Sequence, residues 1–362
     1  MSIPIVDSHI HLFPESHLPS LSWYTPGSPL GSQHSVDQYR QATAQTLPTS
    51  EQSQPTYLRG FIFLETDRLS SVEESGKNGW THALDEVSFL ARVAAGNPIL
   101  GEGHRVEDRQ ICLGIVPWAP VPGGVAALEK YMGLVRERAR TDEVWEKISG
   151  VRYLVQDKPA GVMLQPGFIE GLKWLGRQGL SFDLGVDARQ GGIWQLEEAV
   201  DMMRRTFEGV EEKDKVTIVI NHLCKPNLRL PYTSRESIVT HPDFLQWKTQ
   251  VTAMANYPTT YMKLSGAFSE FSPLSPDTEP DISSLVDRLQ PWTDVIFDAF
   301  GPERVMFGSD WPVCNVGGGG NQVTWKRWKG VVEGVLDRRG LDYGQRESFW
   351  GRVAVNAYRV KL

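Results

Sequence analysis

IPIVDSHIH, residues 3–11, is the stretch from which the fold of this chain can be inferred. Its apolar run predicts a buried β-strand, and two histidines, His9 and His11, stand at the end of that strand. Residues two apart in a strand point to the same face, so both imidazoles project together. The pair therefore forms half of a candidate metal site.

Further apolar runs rich in β-branched residues follow, and helical patterns lie between most of them. We predict strands at residues 3–9, 58–65, 111–117, 149–155, 181–187, 216–222, 259–265 and 303–309. Strands that alternate with helices favour a parallel sheet. Eight such units predict an α/β protein with a (β/α)8 TIM barrel, as one domain over residues 1–362. The alternative is an open doubly wound sheet, but the first strand-to-helix turn lacks a Gly-x-Gly-x-x-Gly phosphate loop.

The chain has 362 residues, which exceeds the roughly 250 residues of a minimal barrel. We expect the extra length in long insertions after the first and second strands, at residues 12–57 and beyond Glu65. Both insertions follow the carboxyl end of a strand, the side on which barrels build their active sites. The run Gly317–Gly320, after the eighth strand, predicts a flexible loop.

The composition argues against several functional classes. A formal net charge of −7 does not suit a protein that binds nucleic acid or an anionic membrane, because both need a basic surface. No uncharged apolar run reaches the length of a membrane span. Only three cysteines occur, too few for a disulfide framework, and no signal peptide precedes the first strand. We predict a cytoplasmic protein that acts on a small molecule, of unknown oligomeric state.

Two other strand ends carry side chains that could bind a metal. His222 follows the sixth predicted strand and Asp310 follows the eighth. In a barrel, both would meet His9 and His11 at one mouth, and three neutral imidazoles with one carboxylate suit zinc or another borderline divalent cation. Taken singly, each residue could be an ordinary hydrogen-bonded or turn residue. The convergence of all four favours chemistry.

Four motifs resemble those of the amidohydrolase-related (amidohydrolase 2) branch of the amidohydrolase superfamily. They are IVDSHIH at 5–11, NHLCKP at 221–226, MKLSG at 262–266 and MFGSDWP at 306–312. Within this branch the chain is most similar to the sugar-lactone hydrolases, among them the fungal L-rhamnono-γ-lactonases. The matching blocks extend from residue 3 to about residue 358. The resemblance implies a TIM barrel and a metal site formed by His9, His11, His222 and Asp310.

The chain departs from the superfamily pattern at two strand ends. Many members have a histidine after the fifth strand and a lysine or glutamate after the fourth, whereas this chain has Asp187 and Arg152 there. We therefore predict one divalent ion, zinc as the first choice, rather than two. Some lactonases of this branch work without a metal, so metal-independent catalysis is the alternative.

The resemblance implies hydrolysis of a sugar-acid γ-lactone, such as L-rhamnono-1,4-lactone, to the open aldonate. The predicted catalytic residues are Asp310 and His222. Asp310 would take a proton from metal-activated water, which attacks the ester carbonyl, and would return it to the leaving ring oxygen. The same scaffold could instead support amide or other ester hydrolysis, or decarboxylation. A ligand-binding protein with a vestigial site is the non-enzymatic alternative.

Candidate substrate-binding residues stand at other strand ends and on the first long loop. Arg152 could hold a carboxylate or lactone oxygen, or it could pair with an acid among Asp157, Asp183 and Asp187. The other candidates are Glu65 and Asp187 for sugar hydroxyls, Lys225 for the carbonyl, Trp118 and Trp311 as pocket walls, and Trp23 and Tyr24 as a lid. Each of them could equally form an ion pair, pack in the core or anchor its loop.

Overall fold

The computed structural model describes residues 2–44 and 55–362. In that part of the chain eight strands occur, and each overlaps a strand predicted from the apolar runs. They are β1 Ile3–Ile10, β2 Thr56–Leu64, β3 Cys112–Val116, β4 Gly150–Arg152, β5 Ser181–Leu184, β6 Ile218–Ile220, β7 Thr260–Leu264 and β8 Val305–Phe307. Several are shorter than predicted, and β4, β6 and β8 have three residues each.

The strands form two parallel sheets whose neighbours follow the order of the chain, β1-β2-β3 and β4-β5-β6-β7-β8. A doubly wound sheet reverses its strand order at a switch point, and neither sheet does so. Isolated parallel bridges join the edges of the two sheets, between Trp118 and Arg152 on one side and between Ile10 and Trp311 on the other. The carboxyl ends of all eight strands therefore lie on one side of an α/β fold.

Helices separate successive strands. The α-helices are α1 Val36–Thr43, α2 Thr81–Ala95, α3 Gly124–Ala139, α4 Asp142–Trp145, α5 Pro166–Arg177, α6 Trp194–Phe207, α7 Arg235–Val239, α8 Pro242–Ala255, α9 Ala267–Glu270, α10 Ile282–Phe300, α11 Cys314–Gly318, α12 Thr324–Arg338, α13 Tyr343–Glu347 and α14 Val353–Tyr358. Segments of 3-10 helix cover Glu15–Ser20, Val106–Gln110, Val121–Gly123, Val162–Leu164, Glu212–Asp214, His222–Cys224 and Pro302–Arg304, and a π-helical turn covers Ser348–Arg352. None of the helices in the described ranges is long and apolar enough to cross a bilayer.

Alternate residues of the strands pack on opposite faces. In β8, Phe307 belongs to the large cluster formed with the surrounding helices, whereas Met306 belongs to a second cluster. The second cluster includes Val219 of β6 and, from α14 near the end of the chain, Tyr358. Because both faces are covered, the strands appear in the sequence as near-continuous apolar runs.

The long connections differ partly from the predicted ones. Between β1 and β2 lies α1, and residues 45–54 of the predicted insertion 12–57 are outside the described residues. Residues 65–80 connect β2 to α2. The prediction of a flexible loop at Gly317–Gly320 is wrong at its start, because Gly317 lies in α11 and a Cβ there would lie 1.9 Å from the carbonyl oxygen of Phe268. Glycine permits that close packing.

Candidate active site

A cavity of about 370 Å³ lies at the carboxyl ends of the strands. It is large enough for a small molecule of monosaccharide size. Apolar walls are formed by Phe13, Trp23, Leu30, Leu154 and Val313. The polar lining consists of His11, Glu65, Thr66, Asp67, Arg152, Gln156, Asn221, His222, Lys225, Ser269 and Asp310. The cavity thus combines an apolar wall with convergent polar groups, which is typical of binding sites for small polar ligands.

His9, His11, His222 and Asp310 form one buried group, which we call the four-residue cluster. The Oδ1 atom of Asp310 lies 3.5 Å from Nε2 of His9, 3.6 Å from Nε2 of His11 and 3.7 Å from Nε2 of His222. The two Nε2 atoms of His9 and His11 are 3.2 Å apart, as expected for residues two apart in a strand. Ligand atoms of His9, His222 and Asp310 all lie within 4.8 Å of one another.

Hydrogen bonds to the outer ring nitrogens orient two of the imidazoles. Nδ1 of His11 lies 3.0 Å from the carbonyl oxygens of both Leu64 and Glu65, so Nδ1 carries the proton. Nδ1 of His9 lies 3.2 Å from Oδ1 of Asn221, which is an acceptor. In both rings the lone pair is consequently on Nε2, which faces the other members of the cluster.

The protonation states of the cluster match those of metal ligands. Burial lowers the pKa of His9 well below its ordinary value and lowers the pKa of His222 to about 3. Burial acts to raise the pKa of Asp310, but His222 and His11 outweigh it and lower that pKa overall. The neutral imidazoles of His9 and His222 and one carboxylate therefore converge near neutral pH, and these donors fit a borderline divalent cation such as zinc.

Two members of the cluster stand on backbone in the left-handed region. Residues His222, Leu223, Cys224 and Lys225 all have φ between 45° and 61°, and Asp310 has φ of 60°. Such conformations cost L-residues roughly 1–2 kcal/mol each. They are typical of functional sites, where surrounding structure holds them in place. The turn at residues 222–225 places both His222 and Lys225 on the cavity.

Close packing at β7 supports His222. Its Nδ1 lies 2.8 Å from the hydroxyl oxygen of Ser265, the residue that follows β7. The next residue, Gly266, has φ of 67°, and a Cβ at that position would lie 2.5 Å from Nδ1 of His222. Glycine is therefore required for the ring to occupy its position.

A wholly buried charge pair lies directly beside His9, and sequence reasoning gave it no role. Nζ of Lys263 lies 2.9 Å from Oδ2 of Asp183 and 3.3 Å from Nδ1 of His9. Tyr358 donates a hydrogen bond to the same carboxylate, and the Asn221 amide donates to its other oxygen. Burial lowers the pKa of Lys263 to about 8, against the opposing effect of Asp183. The sequence feature that could have indicated this pair is the presence of one charged residue within each of two short apolar strands, Asp183 in β5 and Lys263 in β7.

Arg152 lies on the cavity, and it pairs with Glu65 rather than with any of the three aspartates considered from the sequence. Its Nε lies 2.9 Å from Oε1 of Glu65, and both side chains are almost wholly buried. The backbone N–H of Asp67 donates to the other oxygen of Glu65. Burial raises the pKa of Glu65 to about 8, although Arg152 acts to lower it. The partner could not be predicted because β2 and β4 are in different sheets.

Two other predicted substrate-binding residues lie on the cavity. Nζ of Lys225 donates to Oε1 of Gln156 at 2.9 Å. The ring of Trp23 packs edge-on against Phe13, and its Nε1 donates to the carbonyl oxygen of Thr66 at 2.9 Å. These contacts fix both side chains at the cavity wall.

Four predicted substrate-binding residues do not line this cavity: Asp187, Trp118, Trp311 and Tyr24. The Asp187 carboxylate accepts a hydrogen bond from the backbone N–H of Gln190, which closes a turn. The ring of Trp118 packs edge-on against Tyr131, and Nε1 of Trp311 donates to Asn321. Tyr24 packs beside a small cluster of the first loop. A strand-end position alone therefore does not determine which way a side chain points.

Comparison with known proteins gives one matching family model and several relatives. The model described as amidohydrolase matches residues 119–328. The L-rhamnono-γ-lactonase of Scheffersomyces stipitis is 33% identical over 358 residues, which cover 98% of each chain. The L-fucono-1,5-lactonase of Burkholderia multivorans is 27% identical over 216 residues, which cover 59% of this chain and 64% of that protein.

Solved structures share the fold. A crystal structure of an amidohydrolase from Burkholderia multivorans with bound zinc superposes with a TM-score of 0.67 and 22% identity. The superposition covers 99% of each chain. At this identity the similarity concerns the arrangement of helices and strands alone.

Proposed function

The chain belongs to the amidohydrolase family, as its motifs predicted, and from this premise we propose that it hydrolyses a sugar-acid γ-lactone to the open aldonate. The first substrate to consider is L-rhamnono-1,4-lactone, because a relative 33% identical over 98% of both chains carries the name L-rhamnono-γ-lactonase. One observation carries the proposal for the site: the Asp310 carboxylate lies within 3.7 Å of three imidazoles, and two of them, His11 and His222, line the cavity. Rhamnose degradation in the cytoplasm is the cellular setting that we predict.

We infer that the eight strands close into one (β/α)8 barrel and that residues 1–362 form one domain. The sequential order of both sheets supports this inference, as do the parallel bridges at their two edges. The insertions after β1 and β2 would then lie beside the mouth that contains the cavity.

We propose that His9, His11, His222 and Asp310 hold one divalent cation, with zinc as the first choice. The hydrogen bonds at Nδ1 of His11 and of His9 support this assignment, because they leave the Nε2 atoms facing one carboxylate. When bound, such an ion supplies Lewis acidity, which makes water and an ester carbonyl more reactive. Arg152 and Asp187 stand where members with two ions have further ligands, which favours a single ion.

Asp310 is the proposed general base. Its carboxylate accepts a proton from the attacking water, and the water oxygen bonds to the lactone carbonyl carbon. When the ring C–O bond breaks, Asp310 returns that proton to the leaving ring oxygen, so the carboxylate is regenerated. The pKa of Asp310 lies below that of an ordinary carboxyl, so the side chain is an ionised carboxylate that can take up a proton. His222 also borders the cavity, where it orients the carbonyl.

The other polar groups of the cavity are proposed to bind the sugar. Arg152, Glu65 and Lys225 supply hydrogen-bond donors and acceptors for ring oxygens and hydroxyls, and Trp23 supplies an apolar face. Asp187, Trp118, Trp311 and Tyr24 would support the surrounding structure instead of contacting substrate.

Purified protein incubated with a panel of aldonolactones tests the reaction, with acid release followed by a pH indicator. We expect the fastest release from L-rhamnono-1,4-lactone or a close stereoisomer. Matched amides should give no ammonia or amine, and matched carboxylic acids no carbon dioxide. A folded preparation that releases acid from none of the lactones would contradict the proposal.

Substituting Trp23→Ala is expected to raise KM for the lactone roughly tenfold while kcat changes little, because an apolar wall of the cavity is lost. Steady-state kinetics measure the effect. The control is Trp118→Phe, at a tryptophan that packs outside the cavity, and it should leave KM unchanged. Equal KM values for Trp23→Ala and the unsubstituted protein would show that Trp23 does not contact substrate.

A further inference from the structure

Lys263 places a positive charge against a proposed metal ligand. Its Nζ is 3.3 Å from Nδ1 of His9, and its side chain has no exposed surface. The charge is therefore not screened by water or salt at this distance. A divalent cation on Nε2 of His9 would lie on the other side of the same imidazole ring.

The carboxylate that pairs with Lys263 is less directly connected to the ring. Asp183 accepts hydrogen bonds from Lys263, Tyr358 and Asn221, and of these Lys263 and Asn221 contact Nδ1 of His9. The cation touches His9 itself, whereas the carboxylate reaches His9 through these neighbours. The nearest unit charge behind the ligand ring is thus positive, and it repels a dication.

We propose that Lys263 is a positioning residue that weakens the binding of a divalent cation by the four-residue cluster. This inference rests on the proposed metal site. It implies that the bound ion is held loosely enough to exchange with ions in solution. The loss of affinity for the ion is then caused by one lysine outside the ligand set. The same lysine, through Asp183 and Asn221, holds the His9 ring in the orientation that presents Nε2 to the cluster.

The test is the zinc affinity of the stripped protein, measured at constant pH by competition with a chromophoric chelator and with no lactone present. We expect Lys263→Met to bind zinc at least about tenfold more tightly than the unsubstituted protein. Loss of a buried ion pair that served only the fold would not tighten metal binding. A matched control is Lys329→Met, which removes another buried lysine, one that pairs with Glu333 on α12, and should leave zinc affinity unchanged.

If Lys263→Met does not fold, as judged by circular dichroism, the double variant Lys263→Met/Asp183→Asn replaces it. That variant leaves no unpaired buried charge and should also bind zinc more tightly, because the charge that touches His9 is gone. Zinc affinity within threefold of the unsubstituted protein, or weaker, in the folded variant would overturn the inference. Lactone hydrolysis by a protein that binds no zinc would also overturn the inference about Lys263. The proposed hydrolysis of a lactone would still be supported by that result. Tighter zinc binding without any lactone hydrolysis would support the inference and contradict the reaction.

Discussion

Asp310→Asn is expected to lower kcat for lactone hydrolysis by about three orders of magnitude, within the range found when a general base is removed. The amide cannot accept the proton of the attacking water, although its size and its place among the three histidines are preserved. Initial rates over a range of lactone concentrations, followed with a pH indicator, measure the loss.

The control is Asp201→Asn, which changes an aspartate on the surface of α6 that pairs with Arg204 and Arg205. It should retain full activity. A decrease in kcat of less than tenfold for Asp310→Asn would show that the carboxylate does not act as the general base. If neither Asp310→Asn nor the control Asp201→Asn turns over a lactone, the alternative of a ligand-binding protein with a vestigial site would be favoured, because the site would then bind a ligand without reacting.

Arg152→Met is expected to lower the free energy of unfolding by about 1–3 kcal/mol at pH 8.5, because the buried Glu65 carboxyl loses the cation that favours its ionised form. The effect should be smaller at pH 5.5. A carboxyl whose pKa is raised by folding, here to about 8, binds its proton more tightly in the folded state, so stability falls as pH rises towards that value. Removal of Arg152 raises the pKa of Glu65 further, so the decrease in stability continues to higher pH. Urea unfolding at both pH values measures it.

Arg204→Met provides the comparison, because Arg204 forms an exposed ion pair with Asp201. This substitution should lower the free energy of unfolding by less than about 1 kcal/mol at either pH. The double variant Arg152→Met/Glu65→Gln should recover most of the lost stability, since no unpaired buried charge remains. Equal destabilisation by Arg152→Met and Arg204→Met at pH 8.5 would show that Arg152 does not stabilise the buried Glu65 carboxylate.

Much of the fold follows from local patterns in the sequence. Apolar runs located every strand of the described residues, because strands covered on both faces have no polar side to interrupt the run. The period of two placed His9 and His11 on one face, and the structure brings their Nε2 atoms to 3.2 Å. Strand ends that share one direction then explain why His222 and Asp310 lie beside them.

What the sequence did not predict depends on contacts between distant strands. Lys263 and Asp183 are 80 residues apart, and only the register of β5, β6 and β7 brings them together beside His9. The partner of Arg152 depends in the same way on the approach of β2 to β4. Trp311 follows Asp310 directly but packs away from the cavity, because neighbouring residues at a strand end face different directions.

The position of Tyr358 has a consequence for the order of events during synthesis. This residue donates to Asp183, which in turn holds Lys263 and Asn221 beside His9. The first two members of the cluster leave the ribosome at residues 9 and 11, but their supporting network is incomplete until residue 358 has emerged. A nascent chain would thus expose two histidines long before the proposed metal site could form, and any loading with metal would follow synthesis.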